Sequence, residues 1–155
     1  MNSAASLEKN AVDKAISYIK GPHANLNPSC FYSGYTTHET TGQLQQAQHY
    51  ITKHWIGKKD TKVPYNCRLI LGVVSDFAKA DAAHINDWSG VFKEFAESVS
   101  GKVYVLLGET IDPHSIWLQH ERQALKDNQR VTEVEVWEIE GNGQLKKTNK
   151  TKATL

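Results

Sequence analysis

Three segments decide the fold: DWSGVFKEFAESVSGKVYVLLGE at residues 87–109, TIDPHSIWLQHERQAL at 110–125 and VTEVEVWEIEG at 131–141. Their apolar patterning predicts a helix, a strand, a short second helix and a second strand, in that order. The second strand alternates between apolar and polar positions, which predicts that one of its faces lies on the core. This order of elements favours a small, mainly parallel sheet with flanking helices.

The first of these helices carries the strongest helical signal in the chain. Its apolar residues recur at spacings of three and four, and Ser100-Gly101 is expected to end it because glycine readily adopts the left-handed conformation past a helix end. The stripe consists of Trp88, Val91, Phe92, Phe95 and Val99.

Upstream of residue 87 the patterns are mostly helical. Residues 7–20 predict an amphipathic helix that Gly21-Pro22 ends, and residues 44–56 predict another. Residues 31–43, rich in Tyr, Thr, Ser and Gly, suit a binding loop, whereas 68–77 is ambiguous between strand and helix. We therefore expect an α+β protein with a helical N-terminal half followed by the small sheet.

The bulk composition is that of an ordinary globular domain. The chain has 155 residues, of which 39% are hydrophobic and 23% charged, and a formal net charge of +1. It therefore lacks the basic footprint of a nucleic-acid-binding protein, and it lacks a run of about 18 apolar residues that could span a membrane. The first residues contain no apolar core of signal-peptide type.

The first candidate for chemistry is Glu121. In a helix it would share a face with Trp117, and a carboxylate on such a semi-apolar face is costly unless it is paired or used. By spacing alone, an ion pair with Arg122, Lys126 or Arg130 at the surface is the simpler interpretation.

Two further candidates are aromatic. Trp88, at the start of the helix stripe, could be a core residue or could project from the rim of a cleft. Tyr32, Ser33 and Gly34 could offer a flat ring together with hydroxyl and backbone donors to phosphate oxygens.

Cysteine and histidine patterns exclude the common metal motifs. Two cysteines, Cys30 and Cys67, allow one disulfide but no zinc site by themselves, and neither CxxC nor HExxH spacing occurs. The seven histidines are scattered, although folding could still assemble a pair of ribonuclease type.

Residues 88–109 resemble a segment of the ADP-ribosyl cyclase / NAD⁺ glycohydrolase family, in which a Trp precedes a helix ending FAE-like and a VxVxLxG-like strand. In that family a Ser-containing loop leads to the catalytic glutamate, which is followed by a leucine, as Ser115, Glu121 and Leu125 are placed here. The resemblance extends over roughly 31–141, with Phe31-Tyr32-Ser33-Gly34 matching a Trp-Ser loop.

This resemblance implies an ADP-ribosyl cyclase-like fold in which Glu121 is the catalytic residue. It implies that substrate is bound by Trp88, Tyr32, Ser33, Ser115, Ile116 and Trp117. Lys53 stands where the family has an acid that bears on cyclisation, so Lys53 becomes a possible modulator and cyclic ADP-ribose a minor or absent product.

The implied activity is hydrolysis of NAD⁺ to nicotinamide and ADP-ribose, with NAD⁺ as substrate, no cofactor and no metal. Together with the chain's size and polar ends, the resemblance suggests a secreted or delivered toxin that depletes NAD⁺ in a target cell, as in contact-dependent inhibition, with a cognate immunity protein as partner. Residues 1–24 would be a helix, a linker or a remnant of the delivery region, 25–145 the catalytic domain and 146–155 a polar tail. The alternatives are a ribonuclease-type toxin, a cyclase and a non-catalytic interaction module.

Overall fold

The computed structural model of the chain describes residues 3–20, 29–47 and 83–155. These residues form a mixed α/β structure with three helices and a mainly parallel four-stranded sheet. The predicted combination of a small parallel sheet with flanking helices is therefore confirmed. No helix within these ranges is long and apolar enough to cross a membrane.

The helices are α1 (Ala4–Lys20), α2 (Ser89–Ser98) and α3 (Arg122–Asp127), and α3 continues directly from a π-helical turn (Trp117–Glu121). In α1 the residues Ala11, Ala15 and Ile19 lie four apart and are all buried, so the helix packs one face on the core. Helix α2 buries Val91 and Phe95 in the same way, as its apolar stripe predicts.

The strands are β1 (Ser29–Ser33), β2 (Tyr35–Thr37), β3 (Leu44–Gln46), β4 (Gly101–Leu107), β5 (Val131–Ile139) and β6 (Leu145–Lys147). The main sheet has the order β1-β4-β5-β6, in which β1, β4 and β5 are parallel and β6 is an antiparallel edge strand. Strands β2 and β3 form a separate antiparallel hairpin. The predicted strand at KVYVLLG and the predicted strand at 131–140 are both confirmed.

The prediction that β5 buries one face is wrong, because the sheet is covered on both faces. Val134 and Val136 pack in the core cluster that contains the helices, whereas Trp137 and Ile139 belong to a second cluster on the other face. The strand pairing shifts between Gly101 and Lys102, which leaves one extra residue in β5, so Val131 and Val134 pack in the same cluster although they are three residues apart.

The predicted helical N-terminal half is wrong for the described residues 29–47, which form three strands. The expected binding loop at 31–43 contains most of β1 and all of β2, and the helix expected at 44–56 begins as β3. The reason is tertiary: Phe31 is buried on the helix-covered face and Cys30 on the opposite face, which requires an extended chain. Residues 48–56 and 68–77 lie outside the described ranges.

Both ends of the described chain contribute to this structure. Helix α1 shares a hydrophobic cluster with α2, and the Leu155 side chain packs against the same cluster. In the polar tail, Lys152 Nζ donates hydrogen bonds to the carbonyl oxygens of Asn128 and Val131, at 2.7 and 3.0 Å. The predicted boundaries at residues 24 and 145 remain predictions, but the described residues on either side of them share one core.

Candidate active site

The candidate site lies where the carboxyl ends of the parallel strands meet. Strand β1 ends at Ser33, which pairs with Leu107 at the end of β4. Ligands of open parallel sheets bind in the crevice outside the carboxyl ends of the strands. A cavity of about 460 Å³ opens at this edge, between the sheet, the β2–β3 hairpin and the π-helical turn. Its volume is in the range of sites for small molecules.

Two glycines let the hairpin cross the end of β4 at backbone contact. A Cβ added at Gly108 would overlap the backbone of Tyr35, and one added at Gly34 would overlap the carbonyl oxygen of Thr110. Gly34 also has φ of 85°, a conformation that other residues rarely adopt. At this crossing Tyr35 and Thr110 exchange both backbone hydrogen bonds, at 2.9 and 3.0 Å.

A buried threonine fastens the hairpin to two strand ends. The Thr36 hydroxyl donates to the carbonyl oxygen of Ile139 at 2.6 Å and accepts a hydrogen bond from the Glu109 backbone N–H at 3.0 Å. The cavity wall that the hairpin provides is therefore held to the ends of both β4 and β5.

The π-helical turn places Glu121 against this cavity. The Ser115 hydroxyl begins the turn by accepting a hydrogen bond from the Leu118 N–H at 3.3 Å, and the Arg122 N–H closes it on the Trp117 carbonyl. Trp117 and Glu121 are both buried, with 2% and 5% of their surfaces exposed, and both line the cavity. π-Helical turns are frequent at functional sites because they displace side chains from the helical positions.

Glu121 is a buried carboxyl group without a partner among the described residues, where it makes no ion pair and accepts no hydrogen bond. The simple interpretation of a surface ion pair is wrong, because Lys126 Nζ instead donates to the carbonyl of Leu155 and Arg130 to that of Glu97. Burial raises the pKa of Glu121 to about 8, since the cavity wall removes water that would solvate the carboxylate.

The predicted binding residues Tyr32, Ser33, Ser115 and Ile116 line the same cavity as Glu121. Burial raises the pKa of the Tyr32 hydroxyl well above its ordinary value, and the negative charge of Glu121 raises it further. Tyr32 is therefore a neutral phenol near the carboxylate, able to donate one hydrogen bond.

The two predicted tryptophans take different positions. The Trp117 ring packs in the core, 6.3 Å from the Phe31 ring between centroids, and also lines the cavity. Trp88 is half-buried at the start of α2, with its ring centroid 5.9 Å from that of Phe92. Phe92 lines the cavity, whereas Trp88, which was predicted to bind substrate, is not among the lining residues.

Six residues of the wall are absent from the sequence prediction: Tyr35, Leu44, Gln46, Ala47, Phe92 and Asp112. Asp112 follows a buried strand and precedes Pro113, a position where sequence alone could have suggested a site residue. Nothing local marks the other five, because the β2–β3 segment and α2 approach the cavity from distant parts of the chain.

The remaining predicted residues lie elsewhere or outside the description. Lys53 and Cys67 are outside the described ranges, so the modulator role and the Cys30–Cys67 disulfide remain predictions. Of the described histidines, none lines the Glu121 cavity; His120 lies instead at a separate surface depression between α2 and α3. In the described ranges, no three His, Cys, Asp or Glu side chains are placed to hold a metal ion together.

No protein-family description, no curated protein and no solved structure matches this chain.

Proposed function

We propose that the chain is an NAD⁺ glycohydrolase that releases nicotinamide and ADP-ribose, with Glu121 as its catalytic residue. The observation that carries the proposal is the unpartnered Glu121 carboxyl group in the wall of a 460 Å³ cavity at the carboxyl edge of the sheet. A buried carboxyl group without a partner is costly to the fold, so a functional use is the best account of it.

The chemistry of NAD⁺ suits a site with one such acid. When the bond between ribose C1′ and the nicotinamide nitrogen breaks, its electron pair goes to the ring, which departs neutral and needs no proton. Positive charge then develops on the ribose as an oxocarbenium ion. A carboxylate next to C1′ stabilises that charge or bonds to C1′, as in retaining glycosidases, and water completes the hydrolysis.

The raised pKa of Glu121 couples substrate binding to ionisation. In the free site at pH 7 the carboxyl group is mostly protonated, because its pKa is about 8. A pyridinium ring that enters the cavity brings a positive charge, which favours the ionised form and lowers this pKa. The proposed substrate thus generates the carboxylate that its own cleavage requires.

The other cavity residues suit the ribose and the ring. The hydroxyls of Ser33, Ser115 and Tyr32 can hydrogen-bond to ribose hydroxyls or phosphate oxygens. Trp117 belongs to the deep wall close to Glu121, where an accessible edge of its ring can contact the pyridinium. Trp88 is not in the wall itself but packs its ring against that of Phe92, which is.

The resemblance of residues 31–141 to the ADP-ribosyl cyclase / NAD⁺ glycohydrolase family gives the same assignment. We extend it to a toxin that is secreted or delivered into a target cell and blocked by a cognate immunity protein over the cavity. Hydrolysis is proposed over cyclisation because Lys53 stands where the family has the acid linked to cyclisation.

The proposal is tested by incubating the purified protein with NAD⁺ and, separately, with tRNA. We expect stoichiometric nicotinamide and ADP-ribose from NAD⁺, little cyclic ADP-ribose, and intact tRNA. Cleaved tRNA with unchanged NAD⁺ would replace the proposal by the ribonuclease alternative, and no change in either would favour a non-catalytic module.

A further inference from the structure

Leu44 is the residue that the proposed chemistry leaves unexplained. It is 55% exposed, the one large hydrophobic side chain with such exposure among the described residues. A single exposed leucine on a protein surface is ordinary. Leu44, however, lines the Glu121 cavity, together with the partly exposed side chains of Tyr35, Phe92 and Ile116. The exposed side chains of Gln46 and Asp112 line the same cavity, so Leu44 supplies an apolar surface in an otherwise polar exposed rim.

The residues that line this cavity become more exposed from its deep wall, where Glu121 lies, to its mouth. Glu121 and Trp117, with 5% and 2% of their surfaces exposed, form the deep wall, whereas Leu44 on β3 lies at the open side. A dinucleotide whose ribosyl–nicotinamide bond lies at Glu121 has a second nucleotide still to place. That half extends from the deep wall toward the mouth, where Leu44 offers an apolar surface.

The hairpin holds Leu44 in a defined position. Leu44 pairs with Thr37 in the hairpin, and the hairpin is fastened through the Thr36 hydroxyl and through the backbone bonds between Tyr35 and Thr110. Because these bonds fix the backbone at Leu44, only the leucine side chain itself has to be ordered when a flat ring packs on it.

We infer that Leu44 determines specificity by packing on the purine ring of a dinucleotide substrate whose glycosidic bond lies at Glu121. The inference rests on the proposed function and adds to it the part of the substrate that the rim recognises. It separates the two halves of the site: the deep wall acts on the ribosyl–pyridinium bond, and the rim selects substrates that carry a second, purine-bearing nucleotide.

Steady-state nicotinamide release from two substrates tests this inference. NAD⁺ carries the purine, whereas nicotinamide mononucleotide has the same scissile bond and ends before it. For Leu44→Ser we expect the KM for NAD⁺ to rise about fivefold, the effect of losing half a buried leucine, with kcat unchanged. The KM for nicotinamide mononucleotide should stay at the wild-type value.

Two variants serve as controls. Leu44→Met keeps an apolar side chain of similar volume and should retain the wild-type KM for NAD⁺. Thr37→Ser changes the paired residue of the hairpin, which is not part of the cavity wall, and should leave both substrates unaffected.

An unchanged KM for NAD⁺ in Leu44→Ser, or an equal rise for both substrates, would overturn the inference while leaving the proposed function in place. Wild-type protein that releases no nicotinamide from either substrate would overturn the proposed function and this inference with it.

Discussion

Replacing Glu121 by Gln should change how the stability of the protein depends on pH. The substitution keeps the shape of the side chain and removes its titration. Glutamine suits this position because no described residue donates a hydrogen bond to the Glu121 carboxyl group. Replacing the carboxyl group by an amide therefore breaks no hydrogen bond among the described residues.

The magnitude follows from the shift of the Glu121 pKa, which burial raises from an ordinary 4.5 to about 8. Between these values the unfolded chain releases the Glu121 proton and the folded chain keeps it. The free energy of unfolding therefore falls as pH rises, by up to about 1.4 kcal/mol per pH unit and roughly 5 kcal/mol in all. The stabilisation is complete below about pH 4.5 and is lost once pH exceeds about 8.

Urea unfolding of both proteins at intervals from pH 4.5 to 9 measures this dependence. The wild type should lose stability relative to Glu121→Gln across the range, and other titrating groups cancel in the difference. At each pH the two proteins should show the same dependence of unfolding free energy on urea concentration, so that their stabilities can be compared. Parallel stability curves for the two proteins would refute the idea that Glu121 is buried in its neutral form.

Three further predictions concern the ionisation of Glu121, the close approach of the hairpin to β4 and the hydrogen bonds of Asn128. The cation 1-methylnicotinamide should bind the wild type about tenfold more tightly at pH 9 than at pH 7, because at pH 7 binding must displace the Glu121 proton. Calorimetry at both pH values should show no such difference in Glu121→Gln. A pH-dependent affinity in that variant would contradict the coupling between binding and ionisation. Gly108→Ala should lower the free energy of unfolding by about 3 kcal/mol, because the added Cβ would push the hairpin away from β4. Gly90→Ala in α2, where an added Cβ meets nothing within 4 Å, should raise the free energy of unfolding by up to about 1 kcal/mol. Equal effects of the two substitutions would count against the close crossing of the hairpin and β4. Asn128→Ala should lower the free energy of unfolding by about 2–3 kcal/mol, because its amide donates to three carbonyls in the last turn of α2 and just after it, at 2.8 to 3.2 Å. Chemical denaturation measures this loss, and a loss as small as that of the exposed-turn change Asn142→Ala would show that those bonds contribute little.

The parts of the fold that the sequence predicts are those specified by local pattern. Helix α2 and strand β4 follow from an apolar stripe, a terminating glycine and a short apolar run, all within neighbouring residues. Helix α1 follows from its own periodicity. In each case the residues that form the element also carry the signal for it.

The β2–β3 hairpin could not be predicted in this way. Leu44 and Ala47 have helical spacing, but the strand pairing of Leu44–Gln46 with Tyr35–Thr37 determines the structure there. The hairpin is also held by a hydrogen bond between Thr36 and Ile139, which are 103 residues apart. Contacts at such separation leave no mark in a local window.

The candidate site divides in the same way. Ser115, Ile116, Trp117 and Glu121 lie in one segment, so a sequence pattern can group them. Phe92 comes from the helix before the sheet, and Leu44 from the hairpin, so only the folded chain brings them to the cavity.

The central claim is that the Glu121 carboxylate cleaves the nicotinamide–ribose bond. The most direct test is the rate of nicotinamide release from NAD⁺ by the wild type and by Glu121→Gln, with the exposed-residue change Glu133→Gln as a control. We predict a fall of at least about 100-fold for Glu121→Gln and the wild-type rate for Glu133→Gln. A folded Glu121→Gln protein that releases nicotinamide at the wild-type rate would contradict the claim.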